Sequence, residues 1–235
     1  MGDHHAGMTD FARILSTLRD GRRSAHGICD GCLSELPGMT GVGLTAMSST
    51  SVREPICASD DVSARLERLQ YDVGEGPSLD AFGTSSPVLA GDLTEGTYRR
   101  RWPVFSTEAV DVGARAVFAF PLRVGAVRVG VLETYRTRPG SLTEEETLRA
   151  LLVCDAAMVL LLDGDADRLL AGGGILPYRA EVHQATGMIV AQLDVSAEEA
   201  FVRLRARAYA TGRTVEDVAR DVIGRSVRFD DDPAV

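Results

Sequence analysis

The sequence predicts an α+β chain: an antiparallel sheet flanked by helices in the N-terminal part, and an all-α bundle of three helices at the C-terminal end. Three observations predict it. Apolar spacing changes from helical to alternating after Pro37-Gly38, and it returns to helical after Thr143. Two alternating runs meet at the Gly125-Ala126 turn, the pattern of a hairpin. Beyond Pro177, three amphipathic stripes each carry their own start signal.

Phe11, Ile14, Leu15 and Leu18 recur at i, i+3, i+4 and i+7, which predicts a short helix over Thr9–Leu18. A second helix is expected from about Arg23 to Leu36. Candidate strands follow at Gly41–Met47 and Arg53–Ser59 around a Ser/Thr-rich turn, then a helix from about Val62 to Leu69 and a short strand over Pro87–Leu93. Ala116–Val124 and Val127–Tyr135 form the hairpin. Thr143 with Glu146 makes a capping box, and three acids in the first turn suit the helix dipole. The helix it opens is apolar over Leu148, Leu151, Leu152, Met158, Val159 and Leu162, too broad for one solvent-facing element. One face is expected to cover the sheet and another to pair with a second copy, making a homodimer.

Gly172-Gly173-Gly174 breaks the pattern and marks a boundary, so the expected parts are residues 10–165, a linker over 166–176 and a bundle over 177–229. Pro177 suits a first helical turn. Val182, Ala185, Thr186, Ile189 and Leu193 line the first stripe. Ser196 with Glu199 reads as a capping box before Ala200, Phe201, Leu204 and Ala208. After Gly212, Thr214 with Asp217 opens a third stripe of Val215, Val218, Ala219, Val222 and Ile223.

The 235 residues carry a net charge of −9 and a 45% hydrophobic share, enough for packed cores but not for a chain that coats nucleic acid or anionic membrane. Residues 177–229 hold eight arginines against seven acids, a net +1, so the rest carries −10. All 25 basic residues are arginine. No run is long enough to span a bilayer and no signal peptide is legible, which makes the cytoplasm the expected location. Cysteines 29, 32, 57 and 154 do not form a secreted disulfide framework. Cys29 and Cys32 make a C-x-x-C with His26 one turn before, a spacing open to a metal or a redox pair. No second ligand pair is visible, and Ile28, Leu33 and Leu36 favour an amphipathic helix.

Residues Tyr71–Ala81, Gly91-Asp92-Leu93, Arg101-Trp102-Pro103, Phe120-Pro121-Leu122 and Val129–Leu132, in that order and spacing, resemble a GAF domain of the kind common in actinobacteria. The resemblance implies a sheet with helices on its faces and a small-molecule or redox-sensing pocket beneath loops. The ligand is left unassigned, because the asparagine-lysine-phenylalanine-aspartate-glutamate set of cyclic-nucleotide-binding members is missing from a chain without lysine. Gly74-Glu75-Gly76-Pro77 is read as turn chemistry ahead of ligand contact.

Arg179, Val182, Ala185-Thr186-Gly187, Ala200, Leu204-Arg205, Ala208 and Val218-Ala219 resemble an ANTAR domain, which implies an RNA-binding output acting as a dimer on paired hairpins in transcription antitermination. The usual Ala-Lys-Gly of the first helix is here Ala185-Thr186-Gly187, a hydroxyl in place of a cation. The RNA-binding candidates are Ala185, Thr186, Gly187, Arg205, Tyr209 and Arg213, since hairpin loops are read by stacking on aromatic and guanidinium planes. Against these stand structural alternatives: arginines paired with nearby acids on a solvated face, Thr186 as packing, and Gly187 as a close helix contact. The second functional class is a protein-interaction module whose bundle does not hold RNA. No Ser/His/Asp set, phosphate-cradling glycine loop or metal-spaced histidine cluster argues for an enzyme.

Overall fold

The structure, a computed structural model, describes residues 3–21, 25–50, 52–125, 127–162 and 177–229. The chain divides into two compact units, residues 1–70 with 75–174 and residues 71–74 with 175–235. The glycine-rich boundary at residues 172–174 lies outside the described residues.

In the first unit, α1 (Asp3–Gly21) and α2 (Ala25–Ser34) precede β1 (Gly41–Met47) and β2 (Arg53–Ala58). Then come α3 (Asp61–Val73), α4 (Pro77–Thr84), β3 (Val88–Ala90), α5 (Gly96–Arg101) and α6 (Pro103–Asp111). The hairpin β4 (Ala116–Val124) and β5 (Val127–Arg136) leads to α7 (Glu144–Leu160). The five strands form one sheet in the order β2-β1-β5-β4-β3, and every pairing is antiparallel. Leu132 of β5 sits opposite Leu44 on one side and Phe120 on the other, which fixes the register by packing. Those three side chains share a core with Ile14, Leu18, Ile28 and Val153 from α1, α2 and α7. Because strand side chains alternate, Glu133 faces the opposite side of the sheet, toward α3 and α4. Gly130 permits the β1–β5 approach: a Cβ there would lie 2.1 Å from the Thr45 carbonyl oxygen.

The start of α7 is capped as its sequence predicts. Thr143 Oγ1 accepts from the Glu146 N–H at 3.1 Å, and Glu146 Oε2 accepts from the Thr143 N–H at 2.8 Å. The helix α1 is longer than the expected Thr9–Leu18, and α5 and α6 have no counterpart in the sequence reading. Neither carries a long apolar stripe, and α6 is anchored from outside: Glu75 Oε1 accepts from the Val104 and Phe105 N–H groups at 2.7 and 2.9 Å.

The second unit contains α8 (Pro177–Leu193), α9 (Ala197–Ala210) and α10 (Val215–Ile223). Val182, Ala185 and Ile189, then Ala200, Phe201, Leu204 and Ala208, then Val215, Val218, Ala219 and Val222 are all buried together. Ser196 Oγ accepts from the Glu199 N–H at 3.1 Å, but the reciprocal arm of the expected capping box is absent. The Glu199 carboxylate pairs instead with Arg203 at 2.7 Å. Gly212, at φ 63°, makes the left-handed turn into α10.

Candidate sensory core and nucleic-acid interface

The face of the first unit's sheet toward α3 and α4 holds a buried polar cluster. Glu133 Oε2 accepts from Gln70 Nε2 at 2.8 Å and from Ser78 Oγ at 2.6 Å. Gln70 Oε1 in turn accepts from the Ser78 N–H at 2.8 Å. Burial disfavours the charged carboxylate and pushes the Glu133 pKa up to about 7, more than its two hydrogen bonds pull it down. Gly76 makes room for Gln70: a Cβ there would lie 2.4 Å from Gln70 Cγ, and φ is 139°. The Gly74-Glu75-Gly76-Pro77 motif therefore turns the chain, starts α4 at Pro77, and caps α6 through Glu75. Nearby, Asp80 Oδ2 accepts from Arg101 Nε at 2.7 Å and Trp102 Nε1 at 2.9 Å, joining two of the motif pieces quoted above. Sequence reasoning missed Glu133, Gln70 and Ser78. The one available signal was an acid inside the apolar run Val129–Tyr135.

The C-x-x-C does not close on itself. Cys29 is disulfide-bonded to Cys57 on β2, with a Cα–Cα separation of 5.9 Å, and Cys32 is a buried free thiol. Ile28 and Leu36 are buried in the core beside them, as an amphipathic α2 requires. The correction concerns Cys57, which local spacing could not select and the sheet brings under α2.

In the second unit the six candidates fall in different settings. Ala185 is fully buried in the bundle core, where its small side chain packs. Thr186 is half-buried, and its hydroxyl donates to the Val182 carbonyl at 2.7 Å, a back-bond along its own helix. Gly187 is exposed, and a Cβ built on it meets nothing within 4 Å. Among the described residues no neighbour needs the space, so a close helix contact between them does not account for Gly187. Arg205 is half-buried, with its guanidinium 4.6 Å from the centroid of the Phe201 ring. Tyr209 is 65% exposed. Arg213 pairs with Asp221 at 2.6 Å and also donates to the Asp217 carbonyl at 3.2 Å.

Arg203 with Glu199, and Arg220 with Asp217 and Glu181, complete a paired solvated face. The side chain of Arg179 lies outside the described residues.

The fold agrees with the comparisons. The GAF domain family model matches residues 22–152, more than half of the chain. The chain belongs to the GAF domain family. The ANTAR domain model matches residues 176–223, so the GAF domain is joined to an ANTAR domain. GAF domains are sensory and ANTAR domains are RNA-binding antitermination outputs, and both are regulatory rather than catalytic.

No curated protein matches the chain. Among solved structures, an N-acylhomoserine lactone-dependent LuxR-family transcription factor from Burkholderia cenocepacia aligns at a TM-score of 0.50 and 15% identity, over 69% of this chain and 99% of that one. The GAF domain of an Acinetobacter phosphoenolpyruvate-protein phosphotransferase aligns at 0.49 and 10%, over 71% and 97%. The GAF domain of the Coxiella burnetii phosphotransferase aligns at 0.45 and 13%, over 68% and 98%. At such identities the likeness concerns fold alone. No helix among the described residues is long and apolar enough to cross a membrane.

Proposed function

We propose that the chain is a signal-responsive RNA-binding regulator of transcription antitermination, cytoplasmic and homodimeric, in which residues 10–165 sense a small molecule and residues 177–229 hold hairpin RNA. The observation that carries this reading is Gly187. A glycine inside a helix costs about 1 kcal/mol relative to alanine, and here no contact among the described residues accounts for it. Close approach by an outside backbone does account for it, and Gly187 closes the Ala185-Thr186-Gly187 segment that stands at the ANTAR first-helix motif. Exposed Tyr209 and the Arg205 plane supply stacking surfaces for splayed loop bases. The dimer is supported by α7, whose Leu148 and Leu151 are 56% and 40% exposed on a helix otherwise packed on the sheet.

The test is binding of the full chain to a pool of tandem-hairpin RNAs across a salt series. Affinity is expected to fall with salt and to weaken in Arg205→Ala and Tyr209→Ala. Failure to bind any hairpin at low salt refutes the reading. Capture of a protein partner in the same experiments favours instead an interaction module, for which the paired arginines 203, 213 and 220 would be surface decoration.

A further inference from the structure

The four cysteines of the first unit belong to one core, yet they divide into two chemically different pairs. Cys29 and Cys57 are joined, tying α2 to the edge strand β2. Cys32, one turn further along α2, and Cys154 on α7 are buried free thiols, and each feels its buried surroundings as a cost on the thiolate. Burial pushes Cys32 up to about 12 and holds Cys154 well above its usual range, so neither supplies a thiolate to scramble the bond at neutral pH.

The far end of α2 is fastened differently. Glu35, just past its last turn, takes both Arg13 nitrogens of α1 at 2.5 and 2.8 Å. From α7, Arg149 Nη2 reaches the Glu35 carboxylate at 3.0 Å and Arg149 Nε reaches the Glu35 carbonyl at 2.8 Å. The helices α1 and α2 lie close along their length, since a Cβ on Gly31 would stand 3.2 Å from Leu18 Cδ2 and one on Gly21 would stand 2.2 Å from the Gly27 carbonyl oxygen. Segment 25–35 is thus held at its middle by a bond that can be broken and at its C-terminal end by an ion cluster shared with α1 and α7.

We infer that Cys29–Cys57 is a redox centre whose cleavage releases α2 from β2 and is felt at α7 through the Arg13–Glu35–Arg149 cluster. Cleavage is a two-electron reduction by a dithiol. A reductant thiolate attacks Cys57 Sγ, on the edge strand of the sheet. Cys29 leaves as a thiolate and takes a proton, and the second reductant thiolate then displaces Cys57, leaving two cysteine thiols and an oxidised dithiol. Re-formation by hydrogen peroxide joins the two thiols and releases two waters per peroxide. The inference concerns the first unit alone and stands whether or not the second unit holds RNA.

The test uses the full chain, oxidised with hydrogen peroxide or reduced with dithiothreitol, then acid-quenched, alkylated and mapped by mass spectrometry. Amide hydrogen exchange is followed in both states. The oxidised protein is expected to carry the Cys29–Cys57 linkage with Cys32 and Cys154 free. Reduction is expected to speed exchange in α2 and in α7 by about tenfold, a local opening rather than global unfolding. In Glu35→Gln, which removes the carboxylate but keeps the backbone bond to Arg149, the acceleration in α2 is expected to remain and that in α7 to shrink severalfold. A different linkage in the oxidised protein, equal α7 exchange in the two wild-type states, or an α7 response undiminished in Glu35→Gln each overturns the inference. The wild-type comparison decides even where the variant does not fold.

Discussion

Replacing Glu133 by glutamine tests the buried cluster through its dependence on pH. The folded-state pKa is about 7 against an ordinary value of 4.5, so the folded protein binds a proton that the unfolded chain gives up between those values. Stability from this group is whole below the unfolded pKa and is lost as pH rises toward the folded one. Each pH unit across the window removes about 1.4 kcal/mol, and the full separation is worth about 3 kcal/mol. Glutamine reproduces the neutral acid: its carbonyl oxygen can accept from Gln70 Nε2 and Ser78 Oγ where Glu133 Oε2 does now. Since the pI is about 5.0, the comparison runs from about pH 5.5 to about pH 8, where integration of the same window gives about 2 kcal/mol. In thermal unfolding of the full chain, the first unit of the variant is expected to gain on wild type over that range by about 4–8 °C. The carboxylates held low by partners, Glu35 and Glu146, lose their contribution only at more acid pH and cancel in the comparison. A gap between variant and wild type that stays flat over the range refutes the assignment of a raised pKa to Glu133.

Glu75→Ala leaves two N–H groups at the start of α6 without their acceptor and is expected to cost about 1–2 kcal/mol, read as a lower denaturation midpoint with unchanged slope. Gly187→Ala is expected to raise the melting temperature of the second unit, by about 1 kcal/mol of helix propensity, while weakening hairpin binding. Those opposite signs separate it from any simply destabilising change. Gly130→Ala forces a Cβ against the Thr45 carbonyl oxygen and is expected to destabilise the sheet by several kcal/mol, seen as loss of soluble folded protein.

How much of this was legible follows the range of the interactions. The bounds of β1 and β4 match the sequence reading although both faces of each strand are largely buried, because the turns that flank them fix the ends locally. The caps at Thr143, Ser196 and Thr214 were legible for the same reason, although the Glu199 arm was lost to Arg203, a competitor one turn away. Features set by distant chain segments were not. Cys57 becomes the partner of Cys29 only once β2 lies under α2, and α6 is capped by a residue about thirty positions earlier. Glu133 carried a visible anomaly, an acid in an apolar strand, but its partners come from α3 and α4. Among the RNA candidates, helical spacing placed Ala185 on the core stripe and could not tell an open glycine from a crowded one.

The charge pattern of the second unit weighs less in the RNA question than its count of ion pairs suggests. Arg203 and Arg213 are paired, but their side chains are 46% and 41% exposed. Exposed pairs of this kind are worth about 0–1 kcal/mol, so trading a carboxylate for a phosphate costs little. Each phosphate neutralised also releases condensed counterions, a gain that the ion pair within the protein cannot match at low salt. Pairing therefore does not disqualify these arginines, and Thr186 in place of a cation removes at most one such contact. The helix propensity given up at Gly187 is of the same size as an ion pair, but it is given up in every molecule, bound or free, with no contact among the described residues in return. For that reason Gly187 says more about the RNA reading than the arginines around it.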